Sequence, residues 1–231
     1  MTKSHFLVFS CKMGYYRTGE RKGYIQMSKI DFNKSQKKIS LLNTAFELFT
    51  TKGVNETSIA EIAKAAGIAK GTFYLYFRDK YDIRNKLISY KAGSLLIAAA
   101  EEVQSKEDVE AMSLTDRILA LVDFIITSLE EDKNLLMFIS KNLSWGIFRE
   151  SMKDSLEEEN DADFKNAFYD LLSLTEDNYK DPEVMIYLIT EFVSSTCYNA
   201  ILYEEPCSIQ HLKPYIFETI RAIIKQHEPN A

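Results

Sequence analysis

Ile59–Lys80 reads IAEIAKAAGIAKGTFYLYFRDK, and the reading of the whole fold starts from its spacing. Ile62, Ala66, Ile68 and Phe73 supply apolar groups at intervals that lock two short helices at a steep angle. Ala63 is small where the second helix must cross close to the first. Gly67, four residues on, falls where the chain leaves the first helix through a left-handed conformation that glycine reaches without strain. The pattern predicts a helix-turn-helix whose second helix runs over Ala69–Phe77. Lys70, Thr72, Tyr74 and Tyr76 lie on that helix as donors suited to phosphates and base edges in a DNA major groove. Phe73 and Phe77 are assigned to the core. Packing alone does not account for Lys70, Thr72, Tyr74 and Tyr76 occurring together.

Upstream, Lys34–Thr51 carries Ile39, Leu42, Phe46 and Phe49 at amphipathic spacing, and Gly53 closes that helix. Lys34, Lys37 and Lys38 near its start suit either a phosphate or a solvated face. Ser58 and Glu61 form an S-x-x-E capping box for the next helix. Thr57 and Ser58 also stand where a helix N-terminus holds a phosphate, and for Ser58 capping and phosphate contact are compatible. Asp79 is placed to cap a long helix to about Ser105, and Lys80 is placed to meet a DNA backbone.

The charge distribution agrees with a nucleic-acid partner although the net charge of −6 does not. From Lys34 to Lys91 there are eleven Lys/Arg against five Asp/Glu; from Ala92 to Ala231 there are eleven against twenty-seven. A basic module on an acidic body fits a protein that meets phosphates at one end. Hydrophobic residues at 46% and charged residues at 27% describe a globular chain. Three cysteines without framework spacing point to a reducing, cytoplasmic setting. Cys197, flanked by apolar residues, reads as a small core residue rather than a sensor thiol. His5, His211 and His227 lack metal-ligand spacing, and there is no glycine-rich phosphate loop or nucleophile elbow. Glu130-Glu131 and Glu157–Glu159 read as solvated charge runs. The expectation is a protein without catalysis, cofactor or metal.

Met1–Gln26 shows no helical periodicity, and Phe6–Phe9 is too short an apolar run for a signal peptide. The expectation is a start-site artefact ahead of Met27; the alternative is a basic arm presenting Lys12, Arg17, Arg21 and Lys22 to phosphates.

Beyond Ser105, periodicity predicts a core-facing helix from Leu114 to Leu129 and a broadly apolar one over Asn134–Arg149. An acidic stretch follows over Ser151–Asp163, then a short amphipathic segment over Phe164–Leu174. Pro182 opens a helix that runs to Tyr203 and is apolar nearly throughout. Glu191, Ser194–Thr196 and Glu204-Glu205 fit a buried helix better than a membrane span. Ile209, Leu212, Ile216, Ile220 and Ile223 mark the last helix. The Pro182 helix is apolar on too many sides to need one partner only, so these two helices form the candidate dimer surface. Phe124, Phe138, Trp145, Phe148, Tyr187, Phe192 and Tyr198 are more bulky aromatics than dimer packing requires. They are the candidate lining of a pocket for a hydrophobic or flat aromatic molecule, with Glu191 placed to pair with a cationic one. Core filling by these aromatics is the alternative.

The run TSIAEIAKAAGIAKGTFYLYFRDK, Thr57–Lys80, closely resembles the signature of TetR/AcrR-type transcriptional regulators, most specifically in GTFYLYF, Gly71–Phe77. The resemblance covers the N-terminal domain alone. It implies an all-α protein of about nine helices: a three-helix helix-turn-helix domain over 31–84, then a helical-bundle effector-binding and dimerisation domain over 85–231, with 1–30 as an extension. It implies a homodimeric, cytoplasmic, ligand-released repressor bound to a palindromic double-stranded DNA operator. DNA contacts are expected from Lys38, Thr57, Ser58, Lys70, Gly71, Thr72, Tyr74, Tyr76 and Lys80. In the resembled family two C-terminal helices from each subunit make a four-helix bundle. Two other readings stand beside it: a chromosome-organising DNA binder of this fold without an effector, and a helical lipid-binding protein or enzyme that carries the motif.

Overall fold

The computed structural model describes residues 29–140 and 179–229. In chain order the elements are α1 (Lys29–Thr51), α2 (Ile59–Ala65), α3 (Lys70–Phe73), α4 (Lys80–Gln104), a 3-10 turn (Val109–Ala111), α5 (Leu114–Glu131), α6 (Lys133–Ser140), α7 (Pro182–Tyr203) and α8 (Ile209–Gln226). Among the described residues there is no strand. The chain divides into two compact units, Met1–Gln36 and Lys37–Ala231. Of the first, the described part is the opening of α1; the packing described below belongs to the second. The expectations for Met1–Gln26, for the helix beyond Ser140 and for Ser151–Leu174 lie outside the described residues.

α1 begins five residues earlier than the periodicity predicts, at Lys29 rather than Lys34. No glycine or proline occurs in Lys29–Asn33 to stop it. It ends as expected: Gly53 adopts φ +90° and its N–H donates to the carbonyl of Phe49 at 3.1 Å. The α2 start is a full capping box. Ser58 Oγ accepts from Glu61 N at 3.2 Å and Glu61 Oε2 accepts from Ser58 N at 2.9 Å. The α2 end is a Schellman motif. Ile68 N–H donates to Ala63 O at 2.9 Å and Gly67 N–H to Lys64 O at 3.1 Å, with Gly67 at φ +71°. Asp79 caps α4 by accepting from Tyr81 N at 2.7 Å and Asp82 N at 2.9 Å.

Two apolar cores organise the second unit. The first joins Leu41, Leu42, Ala45 and Phe49 of α1, Ile62 of α2, Phe73 and Phe77, and Ile83, Leu87 and Ile88 of α4. Phe138 of α6 belongs to this same cluster. The second core is built by α5, α6, α7 and α8, through Ile118, Val122, Ile126, Met185, Ile189, Val193, Ile216, Ile220 and Ile224 among others. α4 runs from the first core, and Leu95 and Leu96 pack on the second. Cys197 is a buried core residue, and burial pushes its thiol up to about 11.

α7 is long and apolar enough to cross a membrane by length and composition. In the fold it packs on α5, α6 and α8 and buries Met185, Ile186, Ile189, Val193, Cys197, Ala200 and Ile201. Polar links tie α8 to α5: Lys213 Nζ stands 2.7 Å from Asp123 Oδ1, and Gln210 donates to Glu130. The α8 stripe faces inward. Ile209, Ile216 and Ile220 face the core of their own chain, and Leu212 and Ile223 pack against it. They are not the outward face of the helix. The large apolar groups that remain exposed on α7 and α8 are Val184, Tyr187, Leu188, Tyr203 and Tyr215.

Candidate nucleic-acid interface

α2 and α3 are short, and each is held in place by local chemistry. The Schellman turn at Gly67 reverses the chain so that Phe73 and Phe77 drop into the first core, both nearly fully buried. Their rings pack 5.6 Å apart, and Phe73 also meets the edge of Tyr74 at 5.6 Å. The i, i+4 spacing of these two phenylalanines defines the inner side of the α3 segment. Gly71 and Leu75, also spaced i, i+4, therefore lie on the opposite, outer side. α3 itself is assigned only to Lys70–Phe73, shorter than the predicted Ala69–Phe77. The backbone continues through tighter bonds, Leu75 N to Thr72 O at 3.2 Å and Tyr76 N to Phe73 O at 3.0 Å.

The predicted contact residues separate into three groups. Lys70, Gly71 and Tyr74 are exposed on the outer surface, Tyr74 at 51%, with Thr72 half-buried beside them. Ser58 and Lys80 are accessible but already engaged. The Ser58 hydroxyl donates to Glu61 Oε2 at 2.9 Å while capping α2. Lys80 Nζ donates to Asn55 O at 2.9 Å, which ties the start of α4 to the α1–α2 connection. Lys38 is half-buried on α1. Tyr76 is half-buried and packs against the first core, with its ring 6.5 Å from that of Phe77. Thr57 is a correction. It is 1% exposed and its hydroxyl donates inward to Gly53 O at 2.8 Å, so that hydroxyl is not offered to a phosphate.

Two features escape a reading of the sequence. Glu61 accepts an ion pair from Lys52 at 2.6 Å as well as the capping bonds. The Lys52 hydrogen bond first, then the Ser58 backbone and hydroxyl bonds, hold its carboxyl down at about 2. Lys52 thus serves α2 rather than standing free. The second feature is Leu75, 76% exposed between two tyrosines. The sequence does carry a signal for it: Leu75 lies four residues from Gly71 and two from each core phenylalanine.

Gly71 has a physical peculiarity. It is helical, where glycine costs about 1 kcal/mol relative to alanine. A Cβ built there meets nothing within 4 Å apart from its chain neighbours and the helix's own backbone. Neither packing nor a left-handed backbone requires glycine at that position.

Of the eight predicted effector-site residues, the six that are described are not gathered in one place. Phe138 is a correction: it is 6% exposed and lies in the first core, its ring 5.4 Å from Phe46 edge-on and 6.4 Å from Phe49 in a stack. Phe192 and Tyr198 pack against the second core. Tyr198 also meets Tyr203 at 6.0 Å, and its hydrogen bond with Tyr203, with burial, raises its hydroxyl above the usual range. Phe124 and Glu191 are half-buried, and Tyr187 is exposed on α7. Trp145 and Phe148 lie outside the described residues.

Residues 41–87 match the family model for bacterial regulatory proteins, tetR family. The chain is 34% identical over 73 residues to the fatty acid metabolism regulator protein of Bacillus subtilis, covering 32% of this chain and 38% of that one. It is 37% identical over 100 residues to the HTH-type transcriptional regulator AcrR of Shigella flexneri, covering 43% and 45%. These matches span less than half the length of either relative. Across the fold, FadR from Bacillus subtilis in complex with stearoyl-CoA superposes with TM-score 0.55 at 17% identity, over 79% of this chain and 96% of that one. The helix-turn-helix segment thus matches the tetR family of bacterial regulatory proteins, and the described helices share the all-helical fold of such neighbours.

Proposed function

We propose that this protein is a cytoplasmic transcriptional regulator, a homodimeric repressor that binds a palindromic double-stranded operator and is released by a small molecule. The observation that carries the reading is Gly71. A helical glycine that the protein's own packing does not need leaves room for DNA to approach between Lys70, Thr72 and Tyr74. The eleven-to-five basic balance of Lys34–Lys91 supports the same face. In this reading 31–84 bind DNA, 85–231 bind the effector and the partner, and the exposed Val184, Tyr187, Leu188 and Tyr215 of α7 and α8 supply dimer contacts. The effector is a hydrophobic or aromatic molecule, and Glu191 selects for a positive charge on it. Effector binding tilts α4 and moves Phe138, which carries the change into the first core.

Mapping of genomic DNA bound by the intact protein tests this reading. One or a few promoter sites with inverted half-sites are expected. Many dispersed sites point instead to a chromosome-organising role, and no bound DNA at all overturns the regulator reading. Stearoyl-CoA, the ligand of the FadR neighbour, and hydrophobic dye cations are then added to the bound complex. Release by the cations and not by uncharged analogues of the same shape supports the role given to Glu191.

A further inference from the structure

We infer that Leu75 reads a thymine, by seating its side chain against the C5-methyl group in the major groove. The inference rests on the DNA-binding reading above and adds to it the identity of one base contact. Among the described residues Leu75 is the most exposed of the large hydrophobic side chains, at 76%. It stands on the side of the α3 segment opposite Phe73 and Phe77, which are buried. Its backbone is fixed, because Leu75 N–H donates to Thr72 O at 3.2 Å and the next two residues are bonded to Phe73 O. The side chain is therefore presented from a rigid turn and not from a loose loop. One turn before it is Gly71, which has no side chain and where an added Cβ would find nothing within 4 Å. Leu75 is thus the first apolar group that a surface meeting the outer side of α3 encounters.

Its neighbours show which kind of surface. Lys70 and Tyr74 flank it as exposed donors, with Thr72 half-buried beside them, which suits phosphates and base edges rather than a second apolar face. An aliphatic group among such donors has one apolar counterpart in the major groove, the thymine methyl. Cytosine, guanine and adenine present only donors and acceptors there.

The test uses the full chain and a duplex recovered by selection from random sequence. Each thymine is replaced singly by deoxyuridine, which removes the methyl and keeps the pairing, and binding is followed by fluorescence anisotropy at fixed salt. One thymine in each half-site is expected to weaken binding about fourfold when its methyl is lost, the worth of one buried methylene-sized group. Leu75→Ala is expected to bind with equal affinity to the thymine and deoxyuridine versions of that site, while every other position behaves as before. Leu75→Met, which keeps an aliphatic tip, should retain the thymine preference. If the wild-type chain binds its selected duplex and no deoxyuridine substitution matters, the Leu75 assignment is overturned and the regulator reading stands. The assignment is equally overturned if Leu75→Ala keeps the full sensitivity. If selection recovers no duplex, the regulator reading itself is overturned and this inference with it.

Discussion

Truncating Phe138 should cost the first core more than it costs the second, to which Leu136 of the same helix belongs. Phe138 comes from α6, yet its ring is 6% exposed among α1 side chains, edge-on to Phe46 at 5.4 Å and stacked with Phe49 at 6.4 Å. A buried Phe→Ala change costs about 3–5 kcal/mol through lost burial and the cavity left behind. The two ring contacts contribute about 0.5–1.5 kcal/mol each beyond area. Phe138→Ala is therefore expected to lower the urea-unfolding free energy by about 4 kcal/mol, a large part of an ordinary domain's stability. Phe138→Leu keeps most of the volume and is expected to lose about 1–2 kcal/mol. A double-mutant cycle with Phe46→Leu isolates the ring pair, with an expected coupling of about 1 kcal/mol. Circular dichroism in urea reads the first two values, and operator affinity at fixed salt reads their effect on DNA binding. A loss below about 1 kcal/mol for Phe138→Ala, or a coupling indistinguishable from zero, refutes the placement of Phe138 in the first core.

Other residues give independent checks. Glu61 has its carboxyl held down at about 2 from an ordinary 4.5, so its contribution is complete above about 4.5 and is lost as pH falls toward 2. Glu61→Gln should flatten the acid side of the stability–pH curve in that window, read by thermal melts; an unchanged curve counts against the Lys52–Glu61–Ser58 network. Lys91 is largely buried beside Phe46, at 4.5 Å from the ring centroid, and burial lowers its ammonium below the usual range. Because the folded protein then binds this proton less tightly than the unfolded chain, Lys91 stability rises with pH in the alkaline range and the charge is a cost at neutrality. Lys91→Met should remove that alkaline rise, and its persistence rules out Lys91 as the source. Ile216 is 0% exposed, whereas Tyr215 is 57% exposed, on the same helix. Ile216→Asp should unfold the chain, and Tyr215→Asp should leave it folded and shift dimer toward monomer in sedimentation; a folded Ile216→Asp monomer would reverse those roles.

The helix-turn-helix is legible because its devices are local. The Ser58–Glu61 box, the left-handed Gly67 and the Asp79 cap are each written within four residues, and each appears in the fold. Thr57 shows where local spacing stops informing. Its hydroxyl bond to Gly53 O depends on how the connection after α1 folds back, which spacing does not record. Phe138 belongs to a core that its sequence position does not suggest, because amphipathic periodicity shows that a residue is buried, not which neighbour buries it. α8 shows the same limit: its isoleucines do form an apolar face, but the face meets α5 and α7 of its own chain. The effector-site residues depend on such long-range placement throughout, and there the spacing carries least.

The central claim is that the outer side of α3 meets DNA, and Gly71→Ala tests it most directly. The added methyl meets nothing within 4 Å beyond its chain neighbours and the helix's own backbone, and alanine is the better helix former by about 1 kcal/mol. Thermal unfolding should therefore show a variant at least as stable as the wild type. Affinity for the selected operator, measured side by side at one salt concentration, should fall tenfold or more, about 1.4 kcal/mol, because the methyl occupies the space the duplex needs. A variant of undiminished stability that binds the operator as tightly as the wild type would contradict the account.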